Sequence, residues 1–116
     1  VQAESVMPVV SSFTDSSWEP VSTSCTVAGG ISVSYPPQKH RILQILKESS
    51  GLAVAVTDPD ILKWQKSLAT DEGIYAEPTA AAALAGLHEL VRLGIIEHSH
   101  KILVPITGFG LKDEIS

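Results

Sequence analysis

Two short segments carry residue types that could do chemistry. Near the carboxyl end, Thr107 and Gly108 begin a Thr-Gly-Phe-Gly run that follows an apolar stretch. A threonine hydroxyl donates or accepts a hydrogen bond without carrying charge, and glycine lets the backbone turn tightly and approach a flat ligand. In open α/β sheets, ligands bind beyond the carboxyl ends of the strands. The pattern is equally typical of a ligand contact and of a turn that ends a strand.

The second segment is Glu77, followed by Pro78 and Thr79. Proline fits the first position of a helix, and a carboxylate at a helix N-terminus is stabilised by the free amides and the helix dipole. Physical chemistry alone therefore favours a simple helix cap at Glu77 over a ligand contact.

Other motifs that carry chemistry are absent from the sequence. It contains no G-x-x-x-x-G-K-S/T, no G-x-G-x-x-G after a strand and no H-E-x-x-H, and no G-x-S-x-G. His98 and His100 form an H-x-H pair without a third ligand nearby, which we interpret as a solvated turn. We therefore predict no catalytic residue and no metal site in this chain.

Length and charge set the broad class. A chain of 116 residues suits one domain, and a net charge of −5 does not favour nucleic acid or an anionic membrane. The single cysteine, Cys25, excludes an intramolecular disulfide and favours a reducing compartment, the cytoplasm. No apolar run approaches the ~18 residues that span a membrane.

The elements that position these residues follow from apolar spacing and from proline and glycine. Helices are predicted over 7–13, 38–49, 59–72 and 77–93, strands over 1–4, 52–56 and 101–106, and a brief extended segment over 31–33. Asp58 is predicted as an N-cap and Gly51 at C′. Residues 14–30 are predicted to form a long polar loop. This alternation predicts an α/β fold with a mostly parallel sheet flanked by helices. The strand-like start without an initiator Met favours a piece of a longer protein over a free-standing single α/β domain.

Two longer stretches resemble a known family. "EGIYAEPTAAAALAGLHELVRLG" followed by "KILVPITGFGLKD" resembles the C-terminal part of threonine synthase, a pyridoxal-phosphate enzyme of type II fold. The resemblance covers nearly the whole chain. Its matching positions are Gly73, Ile74, Tyr75, Glu77, Pro78, Thr107, Gly108, Gly110, Leu111, Lys112 and Asp113.

The resemblance implies a reaction and a cofactor. Threonine synthases convert O-phosphohomoserine and water to threonine and phosphate with pyridoxal phosphate. In that fold a Ser or Thr hydroxyl at the end of a strand faces the pyridine nitrogen of the cofactor. The residue that corresponds to this Ser or Thr is Thr107, beside Gly108. A neutral hydroxyl leaves that nitrogen largely unprotonated, which tunes the ring's electron withdrawal. Glu77 corresponds to a residue near the edge of the cofactor.

The departures from the family limit this expectation. The family's Schiff-base lysine lies in a Ser-x-Lys-Asp segment, and none of the six lysines here has that context. The Gly-rich phosphate loop and an Asn-bearing loop are also missing, so we expect the C-terminal part of an enzyme, inactive alone. One alternative is a fragment of a serine/threonine dehydratase relative, although those enzymes tend to carry Ser or Cys in place of Thr107. The other is a non-enzymatic domain that binds a ligand or a partner, through an exposed sheet edge or as a homo-oligomer.

Overall fold

The computed structural model describes residues 1–21 and 23–112. These residues form four α-helices and one two-stranded parallel sheet, which is the predicted α/β class. The helices are α1 (Pro8–Thr14), α2 (Lys39–Glu48), α3 (Asp58–Glu72) and α4 (Pro78–Arg92). The strands are β1 (Gln2–Ala3) and β2 (Ala55–Val56), and two short 3₁₀ turns lie at Gly29–Ile31 and Gly110–Lys112.

The parallel pairing joins the start of the chain to the strand before α3. Gln2 lies opposite Ala55, and Ala3 lies opposite Val56. The amide of Glu4 extends the ladder by donating to the carbonyl of Val56 at 2.8 Å. Both strands are shorter than the predicted ranges, but they lie where the apolar runs placed them.

The predicted strand over residues 101–106 was wrong. These residues form no ladder hydrogen bonds with any described part of the chain, and Leu103 is 92% exposed. A strand exists only through hydrogen bonds to a neighbouring strand. Apolar composition alone was therefore insufficient to produce one here. The predicted extended segment at 31–33 was also wrong, because the turn Gly29–Ile31 occupies its start.

The predicted helices lie within one residue of the observed bounds, but the cap of α3 and the end of α2 differ from prediction. The N-cap of α3 is Thr57, whose hydroxyl accepts from the amide of Asp60 at 3.2 Å. Asp58 is instead the first helical residue, and its carboxylate accepts hydrogen bonds from the Thr26 hydroxyl and from the Val27 amide. Two residues near the end of the predicted loop are thus hydrogen-bonded to the first residue of α3.

The end of α2 is a C-terminal motif shifted by one residue from the prediction. Ser50, not Gly51, has the left-handed conformation, with φ of 54°. The Gly51 amide donates to the carbonyl of Leu46 at 2.9 Å, which places Gly51 one position further along, as in a Schellman motif.

Small side chains of α4 build the core. Ala81, Ala82 and Ala85 are almost fully buried, and α4 packs chiefly against α3. Because alanine projects little beyond the backbone, neighbouring elements can approach α4 closely. Ile61 of α3 is the largest fully buried side chain of this cluster. Among the described residues, no helix has both the length and the apolar character that crossing a membrane requires.

Candidate functional site

A short antiparallel bridge brings the two predicted site segments together. Ala76 pairs with Phe109. On one side of this pair the Glu77 amide donates to the carbonyl of Gly108 at 3.0 Å, and on the other the Gly110 amide donates to the carbonyl of Tyr75 at 2.8 Å. The structure therefore places Glu77 beside Gly108, although the two segments are distant in the sequence.

The start of α4 sets the direction of Glu77. Its backbone takes the N-cap position before Pro78, with φ of −67° and ψ of 157°, and Pro78 is the first helical residue as predicted. The Glu77 side chain, however, makes no capping hydrogen bond. One carboxylate oxygen, Oε2, lies 2.8 Å from Nζ of Lys112, and the side chain is only 18% exposed. The cap interpretation favoured by the sequence is therefore wrong for the side chain.

The absence of a side chain at Gly108 leaves room for the Glu77 carboxylate. A Cβ atom added at Gly108 would lie 2.5 Å from Cδ and 3.1 Å from Cγ of Glu77. Glycine is needed here because a side chain packs directly against its backbone. This reason differs from the tight turn suggested by the sequence.

Gly110 is constrained by more rigid neighbours. A Cβ atom at Gly110 would lie 2.7 Å from the ring of Tyr75 and 2.9 Å from the carbonyl oxygen of Ala76. The two glycines thus permit the close pairing of residues 75–77 with residues 108–110. The site geometry depends on the absence of side chains at both positions.

Thr107 lies immediately before this bridge and is exposed. Its hydroxyl forms no hydrogen bond with the described residues. A hydroxyl with both donor and acceptor capacity is therefore exposed one residue before Gly108, against which the Glu77 side chain packs. The predicted match at Asp113 lies outside the described residues.

A third glycine, Gly30, approaches the first turn of α4, and sequence reasoning assigned it no role at this site. The Gly30 amide donates to the hydroxyl of Thr79 at 3.0 Å. A Cβ atom at Gly30 would lie 2.9 Å from that hydroxyl oxygen. The available signal was the Gly29-Gly30 pair, but its partner Thr79 could be identified only in three dimensions.

The predicted histidine pair lies away from this site in an exposed turn. His98 and His100 are both exposed, and Nδ1 of His100 accepts from the Glu97 amide at 3.0 Å. Across residues 1–21 and 23–112, no cluster of three or more His, Cys, Asp or Glu side chains could hold a metal ion.

Comparison with known proteins identifies related sequences. The family model for pyridoxal-phosphate dependent enzymes matches residues 1–108. Threonine synthase of Methanocaldococcus jannaschii is 37% identical over 115 residues, and that of Methanosarcina acetivorans is 38% identical over 115 residues. Threonine synthase of Mycobacterium leprae is 35% identical over 95 residues, which is 82% of this chain.

The matched region is only part of each relative. Both archaeal alignments cover 97% of this chain but 28% of the relative. The mycobacterial alignment covers 26% of the relative. The chain thus spans little more than a quarter of the length of the curated relatives it matches, and both Glu77 and Gly108 lie within the residues that the family model matches.

Proposed function

The chain belongs to the pyridoxal-phosphate dependent enzyme family, and we propose that it forms one wall of the cofactor site of a threonine synthase-like enzyme. That enzyme converts O-phosphohomoserine and water to threonine and phosphate. The observation that carries the proposal is the bridge that sets Gly108, the residue after Thr107, beside Glu77, whose carboxylate packs against it. The names of the relatives support the choice of reaction.

The residues of this wall fit the cofactor's pyridine ring. Thr107 offers an exposed neutral hydroxyl that forms no hydrogen bond with the described residues. In our proposal it hydrogen-bonds the ring nitrogen and leaves that nitrogen largely unprotonated. Gly108 keeps the backbone after Thr107 free of side-chain bulk, and Glu77 would place a carboxylate at the ring's edge. When bound, pyridoxal phosphate supplies the electron-withdrawing ring, and the protein supplies its orientation and electrostatics.

We propose that the chain alone is inactive. None of its six lysines lies in a Ser-x-Lys-Asp segment, and it carries no Gly-rich loop for the cofactor phosphate. The substrate in the intact enzyme is a small molecule. A cytoplasmic setting is part of the proposal and is supported by the single cysteine, Cys25.

A chimera tests the proposal directly. This chain replaces the matching 28% of the Methanocaldococcus jannaschii threonine synthase, and cofactor binding and phosphate release from O-phosphohomoserine are measured. We expect the chimera to bind pyridoxal phosphate and to release phosphate. We expect Thr107→Val to shift the cofactor's visible absorption and to lower the rate, because the hydroxyl at the ring nitrogen is lost.

The matched control is Thr70→Val in the same chimera. Thr70 is an exposed threonine of α3 whose hydroxyl donates to the carbonyl of Lys66. It should leave absorption and rate unchanged. A chimera in which Thr107→Val behaves like Thr70→Val would contradict the role of Thr107. Deamination of threonine without phosphate release would instead favour the dehydratase alternative.

A further inference from the structure

The ion pair between Glu77 and Lys112 is not explained by the proposed role of the wall. Lys112 is the last residue of the 3₁₀ turn Gly110–Lys112, directly after the bridge. Nζ of Lys112 lies 2.8 Å from Oε2 of Glu77. The lysine side chain is 68% exposed, whereas the glutamate side chain is 18% exposed.

Two attractions compete for the Glu77 carboxylate. The free amides and the dipole at the start of α4 attract a negative group at the N-cap. Glu77 occupies that position, but its side chain does not cap the helix. It lies against Gly108 instead, on the side where Lys112 stands. The Glu77 carboxylate is thus paired with Lys112 and not with the amides of the helix terminus.

We propose that Lys112 is a positioning residue for Glu77. Its ammonium group holds the carboxylate over Gly108, next to Thr107, and so fixes a negative charge at the edge of the wall that faces the cofactor. This inference rests on the proposed function for its purpose. A pair with one partner this exposed contributes little to stability, so its effect is on geometry.

The position of the carboxylate can be measured without the cofactor. In the isotope-labelled full chain, a nuclear Overhauser effect between the Cγ protons of Glu77 and the Cα protons of Gly108 reports their contact. We expect Lys112→Gln to abolish this effect, because the side chain is released towards the helix amides. We expect Lys112→Arg to retain it, because the positive charge is kept.

Two further variants complete the test. Lys101→Gln removes another exposed lysine of the same carboxyl-terminal region and should leave the effect intact. Glu77→Gln keeps the side-chain shape without the charge and should abolish the effect even if Lys112→Gln fails to fold. Thermal unfolding of every variant identifies those that have lost the fold.

The outcomes separate this inference from the proposed function. Persistence of the contact in folded Lys112→Gln or in folded Glu77→Gln would overturn the positioning role, whatever the chimera does. Loss of the contact in both, with retention in Lys112→Arg and Lys101→Gln, supports it. The failure of the chimera to bind pyridoxal phosphate would count against the proposed function alone, because the contact is read in the absence of cofactor.

Discussion

Apolar side chains are buried in one region of the molecule, the helical core, and exposed in another, the carboxyl segment. The helical core comprises β1, β2, α3 and α4, and the carboxyl segment is residues 95–112. In the core, Ile61 and Ala81 are fully buried. In the carboxyl segment, Leu103 is 92% exposed and Phe109 is 71% exposed. Both regions are rich in apolar residues, so composition does not account for the difference.

The candidate site therefore lies between a region held by apolar packing and a region held by hydrogen bonds and an ion pair. The core is held by apolar packing, with burial as the dominant favourable contribution. The carboxyl segment is held against Tyr75 and Glu77 by backbone hydrogen bonds and by the ion pair to Lys112. One face of the site is therefore held by apolar packing, and the other by a few directional contacts.

The largest expected effect comes from the core. Ile61→Ala removes buried atoms and leaves a cavity, which costs about 2–5 kcal/mol in similar sites. Leu103→Ala, at an exposed position, should change the free energy of unfolding by no more than about 0.5 kcal/mol. Urea denaturation of both variants measures the difference. Equal destabilisation by the two substitutions would show that the carboxyl segment is packed in solution.

The two glycines of the bridge, Gly108 and Gly110, differ in how easily their neighbouring atoms can move. Gly110→Ala meets the Tyr75 ring and the Ala76 carbonyl, neither of which moves easily, and should cost about 1–3 kcal/mol by overpacking. Gly108→Ala meets only the flexible end of Glu77. It should cost less stability but displace the carboxylate. Thermal unfolding compares the stability of the two variants. A larger loss of stability for Gly108→Ala than for Gly110→Ala would contradict the prediction.

Gln65 links the two regions. It is buried on α3, and its Nε2 donates to the carbonyl of Ala76 at 2.8 Å. Gln65→Met keeps the approximate length but leaves that carbonyl unpaired, which should cost about 1–3 kcal/mol. It should also speed hydrogen exchange at the Gly110 amide, which is bonded to Tyr75.

The control for this prediction is Gln44→Met on α2, where the glutamine is exposed. It should leave both unfolding and exchange at Gly110 nearly unchanged. If Gln65→Met left exchange at Gly110 unaltered, the carboxyl segment would not depend on α3 through Ala76.

Local signals predicted the helices well because those signals lie within each helix. Pro78 is the first residue of α4, as predicted, and Gly94, with φ of 74°, follows its end. The strand over residues 101–106 was not predictable, because strand formation needs a neighbour that periodicity does not reveal. The cap of α3 was displaced for a similar reason, since Asp58 is engaged by Thr26 from a distant loop.

The site was predictable only in part. Glu77 and Thr107 were singled out by residue type and by resemblance. Physical chemistry alone favoured a cap at Glu77 and left a turn and a ligand contact equally open at Thr107. The bridge at Ala76 and the contact with Lys112 are long-range features without a local pattern. Three-dimensional structure was required to show that the Glu77 side chain faces Gly108 and not the amides of α4.

The smallest expected effect tests an ion pair that lies entirely within one helix. Oε1 of Glu89 lies 2.6 Å from Nη2 of Arg92, and the second oxygen accepts from Nε at 2.8 Å. The hydrogen bond from Arg92 is the main reason that the pKa of Glu89 is below its ordinary value. A carboxyl whose pKa is lower in the folded state adds stability above its unfolded pKa, and that stability is lost as pH falls through the folded pKa.

Arg92→Gln should therefore lower the thermal midpoint slightly at neutral pH and not at all once Glu89 is protonated in both states. The effect is small because the pair is exposed to solvent. Lys112→Gln should differ in kind, since it moves the Glu77 carboxylate while leaving the midpoint nearly unchanged. Thermal midpoints of both variants from acid to neutral pH provide the comparison. A pH-independent loss in Arg92→Gln would show that Arg92 stabilises α4 by packing and not through Glu89.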